Sequence, residues 1–173
     1  MVIWLIGLSG AGKTALGIKL KEYLADRGAP CVLIDGDAVR EFFDGDLGFT
    51  RDDRVANIKR IALAAHFLES SGTNAVVCNI SPFEELRKFH RAKIRGYREI
   101  YLKRSLAECK KNDVKKVYAT QSDKTDIVGV DTAFDEPSSP DLVLDTGTQD
   151  IEASFSKLKA FIESRKEELH GCP

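Results

Sequence analysis

The chain predicts an α/β fold of three layers, a five-stranded parallel sheet covered by helices on both faces, and three observations predict it. Short apolar runs alternate with helical patterns along the whole length. The first run leads directly into Gly7-Leu8-Ser9-Gly10-Ala11-Gly12-Lys13-Thr14, a complete GxxxxGK(S/T) string. A helical pattern follows that string at once. Strand, glycine-rich loop and helix thus come in the order a phosphate-binding loop requires, which points to a P-loop NTPase three-layer α/β/α fold.

The elements follow in sequence. Residues 2–8 are apolar almost without interruption, as a strand buried on both faces requires. Behind Lys13, Leu16, Leu20, Tyr23 and Leu24 recur at helical spacing. Residues 31–35 give the second strand. Val55, Ile58, Ala62, Ala65 and Leu68 mark a long amphipathic helix, after which strands are expected at 74–79 and 99–102. The last strand, 141–144, precedes a helix marked by Ile151, Phe155, Leu158 and Ile162. Ligands of such sheets collect at the carboxyl ends of the strands, so polar residues just past each strand become site candidates.

The bulk composition narrows the function. A length of 173 residues suits one domain spanning 1–173 with its own core. A formal net charge of −1 with 31% charged residues leaves no broad basic field, which argues against a nucleic-acid partner and for a small phosphorylated ligand. Cys31, Cys78, Cys109 and Cys172 are scattered, and two lie in strand-like runs. They read as reduced thiols, not as a disulfide framework or a zinc site. No secretory, transit or membrane-spanning pattern is visible, so the expectation is a cytoplasmic protein with no membrane partner.

The loop carries the first chemistry. Gly7, Gly10 and Gly12 let backbone N–H groups approach phosphate oxygens, with Ser9 and Ala11 completing the cradle, and the helix that opens near Lys13 adds its positive dipole end. Lys13 is expected to reach the β- and γ-phosphates of ATP, and Thr14 to hold Mg²⁺. After the second strand stand Asp35 and Asp37, flanking a glycine. In a kinase one carboxylate orders the water shell of the metal, here assigned to Asp35, and the other takes or aims the attacking hydroxyl proton, here assigned to Asp37. The same Asp-Gly-Asp also suits a turn that caps a short helix. Arg54 and Asn57, three apart, share one helix face and can present a cation and an amide to one ligand. Arg40 and Phe49 are ambiguous taken singly.

Taken together these residues resemble the adenylylsulfate kinase family. The resemblance rests on residues 7–14, on Ile-Asp-Gly-Asp-Ala-Val-Arg at 34–40, and on Gly-Phe-Thr-Arg-Asp-Asp-Arg-Val-Ala-Asn-Ile-Lys-Arg at 48–60. It continues through Ile-Ser-Pro-Phe at 80–83, Cys109, Asp-Val-Lys at 113–115, Tyr118, Gly-Val-Asp at 129–131 and Glu136-Pro137, and covers about residues 2 to 147. It implies ATP-dependent phosphorylation of the 3′-hydroxyl of adenosine 5′-phosphosulfate. By position it implies that Arg40, Arg54 and Asn57 hold the acceptor's anionic end and ribose, that Phe49 stacks on its base, and that Ile80 and Ser81 line the site. It assigns Lys115 and Tyr118 to a mobile lid of about residues 110–130, and allows a homodimer.

Composition supports the lid. Between residues 110 and 126 stand Lys110, Lys111, Lys115, Lys116 and Lys124 with few apolar anchors, so ordering there is expected to await phosphates. The chain also departs from the family. Lys115-Lys116-Val117-Tyr118 stands for Lys-Gly-Leu-Tyr, Ile127 for a phenylalanine of the acceptor's base clamp, and Asn112 for an arginine near the ATP adenine. Losing one stacking ring costs on the order of 1–3 kcal/mol, enough to change substrate. A related nucleotide 3′-kinase acting on cytidine diphosphoramidate is therefore the second expectation, and a noncatalytic nucleotide switch the third.

Overall fold

The computed structural model describes residues 1–113, 116–118 and 126–170. Its strands are β1 (Val2–Ile6), β2 (Cys31–Asp35), β3 (Asn74–Cys78), β4 (Tyr97–Lys103) and β5 (Leu142–Asp145). Its helices are α1 (Lys13–Ala25), α2 (Gly36–Phe42), α3 (Arg51–Ser70), α4 (Glu84–Lys93), α5 (Leu106–Lys111) and α6 (Ile151–Glu163). All strand pairs are parallel and the sheet order is β2-β3-β1-β4-β5, so the strand that feeds the phosphate loop is central.

Alternation along β1 builds both cores. Ile3 and Leu5 pack with Leu16, Leu20 and Leu24 of α1 and with Leu158, Phe161 and Ile162 of α6. Val2, Trp4 and Ile6 point the other way, into Ile58, Ile61 and Ala65 of α3 and Leu86 of α4. All five β1 side chains are fully buried. Each such Leu or Ile contributes about 1.5–3 kcal/mol, so a charge at Leu5 would unseat α1, α6 and the loop between strand and helix together.

Strand limits differ from expectation by one to two residues, for local reasons. β1 stops at Ile6 because Gly7 takes φ +143° and turns its N–H to the Ile80 carbonyl at 3.4 Å. β3 likewise ends at Cys78. β4 begins at Tyr97, where Tyr97 and Arg98 pair with Val2 and Ile3 despite their polarity. β5 starts one residue late because Asp141 spends its carboxylate on the Glu99 N–H (2.8 Å) and on Arg91 (2.7 Å).

Two caps aim the helices that carry site residues. Asp35 caps α2 by accepting the Asp37 N–H at 2.9 Å. Thr50 and Asp53 form a reciprocal capping box that starts α3. With its start fixed, α3 turns Arg54 and Asn57 inward beside Ile58 and Ile61, and all four are buried. Among the described residues no helix is long and apolar enough to cross a membrane.

Candidate active site

The loop from Gly7 to Gly12 curls through left-handed backbone. At Gly10 (φ +80°) a Cβ would stand 2.8 Å from the Cys109 carbonyl, so the end of α5 presses directly on the loop apex. Neighbours also fix the loop through its carbonyls. The Tyr118 hydroxyl donates to Ser9 at 3.1 Å, Asn112 Nδ2 to Gly10 at 3.3 Å and Thr146 Oγ1 to Ala11 at 2.9 Å. Its own lysine lies over it, with Lys13 Nζ donating to the carbonyls of Gly7 (2.9 Å) and Leu8 (2.7 Å).

Asp35 joins this cradle to α2. Thr14 Oγ1 donates to Asp35 Oδ2 at 3.0 Å, while Asp35 Oδ1 takes the Asp37 N–H. A hydroxyl and a carboxylate in contact at the mouth of a phosphate loop form the oxygen donor set that Mg²⁺ uses when most of its ligands are water and phosphate. Among the described residues no group of three or more His, Cys, Asp or Glu side chains could hold a metal ion by itself. The residues present fit Mg²⁺ in that shared mode.

Past α2 stands a cluster of long side chains. Arg40 Nη1 donates to the Gly48 carbonyl at 2.6 Å and its guanidinium carbon lies 4.9 Å from the centre of the Phe49 ring. Arg54 approaches the same ring at 5.5 Å and donates Nε–H to the Phe49 carbonyl at 2.9 Å. Its other arm donates to the Asp126 carbonyl, which brings the segment before Ile127 against the segment before α3. Burial lowers the pKa of both guanidinium groups, opposed by Asp37 and Asp53 at Arg40 and by Asp126 at Arg54. Both stay cationic at neutral pH, and partly dehydrated cations attract an anion more strongly than exposed ones.

Asn57 donates Nδ2–H to the Gly36 carbonyl at 3.2 Å, while its Oδ1 is buried with no partner among the described residues. Ser81 is buried at φ +48°, and its hydroxyl accepts from the Trp4 indole at 2.9 Å. Ile80 is half-buried, tied to Gly7 through its carbonyl. Ile127 is buried in a tight turn whose Asp131 carboxylate accepts its N–H at 2.9 Å, whereas Phe49 is 41% exposed and open to a ligand.

The structure therefore brings together Gly7, Ser9, Gly10, Ala11, Gly12, Lys13, Thr14, Asp35 and Asp37 on the loop side. Arg40, Phe49 and Arg54 cluster together, with Ile127 one residue beyond the Asp126 carbonyl that Arg54 holds, while Asn57 reaches Gly36 at the start of α2 and Ile80, next to Ser81, bonds Gly7 of the loop. Lys115 lies outside the described residues. The lid segment has more anchors than its composition suggests: Tyr118 packs on the core around α1, and Asp113 accepts the N–H groups of Val117 and Tyr118 at 2.8 and 2.7 Å.

Three supporting residues escaped the sequence. Thr146 follows β5 and had the polar-after-strand signal. Asn79, whose Oδ1 accepts both the Ser81 N–H and hydroxyl at 2.9 Å, was read as the last residue of the third strand and lies just past it. Arg87, which donates to the Ser81 carbonyl at 2.7 Å, gave no signal of this support.

Comparison with known proteins identifies the family. The adenylylsulphate kinase family model matches residues 1–145. The chain is 38% identical over 163 residues to adenylyl-sulfate kinase of Phocaeicola vulgatus, covering 91% of this chain and 79% of that protein. It is 35% identical over 160 residues to that of a Picosynechococcus strain, covering 91% and 90%. Among solved structures, the Mycobacterium tuberculosis APS kinase in complex with AMPPNP and APS superposes with a TM-score of 0.86 at 28% identity, covering 94% of this chain and 96% of that one. A phosphate loop closed by Asp35, a guanidinium-braced wall past α2, and these likenesses agree: the chain belongs to the adenylylsulfate kinase family of P-loop kinases.

Proposed function

We propose that this protein transfers the γ-phosphoryl group of ATP to the 3′-hydroxyl of adenosine 5′-phosphosulfate. The single observation that carries the reading is the contact between the two halves of the site, where Asp35 bonds Thr14 of the loop and the first turn of α2 at once. A hydroxyl held against α2 then faces a triphosphate held on the loop. The acceptor's 3′-oxygen forms the new bond to the γ-phosphorus, the bond from that phosphorus to the β–γ bridging oxygen breaks, and ADP departs. Asp37 receives or aims the hydroxyl proton. Lys13 leaves its two carbonyls to meet the β- and γ-phosphates. Mg²⁺, held through Thr14 and through water on Asp35, would neutralise charge on those phosphates when bound.

Arg40 and Arg54 offer two partly dehydrated cations to the phosphosulfate, Asn57 Oδ1 offers an acceptor to a ribose hydroxyl, and Phe49 offers its ring to the base. Ile127, with Ile80 and Ser81, lines the remaining wall, and Lys115 is assigned to the closing segment. Cys31, Cys78 and Cys109 are buried and outside any disulfide, which suits a reducing, cytoplasmic setting. A homodimer is the proposed assembly, which light scattering tests. The decisive experiment is turnover with ATP and Mg²⁺ on adenosine 5′-phosphosulfate beside cytidine diphosphoramidate. Preference for the first is expected, and clear preference for the second overturns the assignment.

A further inference from the structure

We infer that Arg87 is a positioning residue for the acceptor side of the site, acting by holding Ser81 in a left-handed backbone conformation. The kinetic part of this inference rests on the proposed function; the conformational part does not.

Ser81 is a serine at φ +48°, a region that costs an L-residue energy and is sparsely used outside glycine, asparagine and aspartate. It also precedes Pro82, and a residue before proline is driven toward extended backbone. Something must therefore impose the conformation. Its amide and hydroxyl are fixed by Asn79 Oδ1, and its hydroxyl also takes the Trp4 indole N–H. The direction of its carbonyl is fixed by Arg87 Nη1 at 2.7 Å.

Arg87 is well placed to impose it. Its side chain is 1% exposed, and its fork is held on several sides. Nε donates to Glu84 Oε2 at 3.1 Å, Nη2 donates to that carboxylate (2.5 Å) and to the Asp135 carbonyl (2.6 Å), and Glu99 stands at 3.8 Å. Burial lifts the Glu84 pKa, but hydrogen bonds from Ser138 and Arg87 outweigh it, so Glu84 remains an anion that locks the fork. One planar cation thus ties the turn after β3 to the segment that follows Ile127. Lysine, a point charge with no fixed plane, cannot reproduce that geometry. Arg87 sits on α4 behind the turn, so its effect reaches the acceptor only through Ser81 and the neighbouring segment.

The test is a double-mutant cycle of Arg87→Lys with Ser81→Gly. Glycine adopts φ +48° without enforcement, so it should remove the need for Arg87. Arg87→Lys alone is expected to raise the acceptor KM about tenfold and leave the ATP KM within about twofold. In the Ser81→Gly background the same change should raise the acceptor KM less than about threefold. An activity-free readout comes from Trp4, the chain's single tryptophan. Arg87→Lys should move its indole N–H resonance upfield, because the serine hydroxyl it bonds has shifted. An unmoved resonance, an equal effect in both backgrounds, or a joint rise of both KM values overturns the inference. If Arg87→Lys does not fold, Glu84→Gln unlocks the same fork and must shift the indole resonance in the same direction. Lack of turnover by the wild-type protein would sink the proposed reaction alone, since the indole measurement still decides the role of Arg87.

Discussion

The phosphate loop and the wall past α2 meet at Asp35 and Gly36, yet they are assembled by different means. From Gly7 to Gly12 the site is made of main chain, shaped by glycine and gripped from outside through the carbonyls of Ser9, Gly10 and Ala11. The wall is made of side chains: Arg40, Phe49 and Arg54 brace one another and reach as far along the chain as Asp126, and Asn57 bonds Gly36. A backbone site tolerates little change in local sequence but asks little of the rest of the protein. A side-chain site distributes its requirements over distant segments, so specificity drifts there first. The replacement Ile127 follows Asp126 in such a distant segment, whereas Asn112 sits on the loop side, at the Gly10 carbonyl.

If that contrast holds, damage to the loop side should strike the chemical step, and damage to the wall should strike acceptor affinity. Lys13→Ala should lower kcat by about 10³-fold, the scale on which a preorganised charge at a transferring group acts. Asp37→Asn should slow single-turnover phosphoryl transfer about 10²-fold with the ATP KM within about twofold, as loss of proton handling predicts. An unchanged single-turnover rate would remove Asp37 from the chemistry.

A titration in the core behind the site comes from His90. It is fully buried and stacks on Trp4 with ring centres 4.6 Å apart, and burial, with help from Arg87, pushes its pKa down to about 4. The folded imidazole is neutral while the unfolded one titrates near 6.5, so its stability contribution is complete above that value and is lost as pH falls toward 4. About 2 kcal/mol should disappear between pH 7 and 5 in urea titrations, and His90→Phe should flatten that slope. The smallest effect sharpens the contrast most. Arg54→Lys keeps the charge but loses the bridge from Phe49 to Asp126, and should raise the acceptor KM about tenfold with kcat nearly intact.

The same contrast explains what the sequence disclosed. The loop was legible because its physics is contiguous: glycines, lysine and threonine at fixed spacing after an apolar strand. The sheet was legible because five runs alternate with helical patterns, although β4 was read short where Tyr97 and Arg98 interrupt the apolar signal. Arg54 and Asn57 were legible as a shared helix face but not as buried groups, since their burial comes from the turn carrying Asp126 and from Gly36. Arg87 was not legible as a support of the site: its i,i+3 pair with Glu84 reads as an ordinary helix-surface ion pair, and Ser81, Glu99 and Asp135 lie on other elements. Tyr118 ran against its surroundings, a single aromatic anchor inside a lysine-rich stretch whose composition argued for looseness.

The parallel pairing of β1 has a consequence for how the protein is born. Val2 finds its sheet neighbours in Ala75 and Tyr97, so no hairpin can shelter the first strand while the ribosome is still making the first half of the chain. Val-Ile-Trp-Leu-Ile therefore stays without a strand partner until β3 arrives, which makes this apolar segment a natural client for chaperones and the one whose exposure would seed aggregation when synthesis stalls.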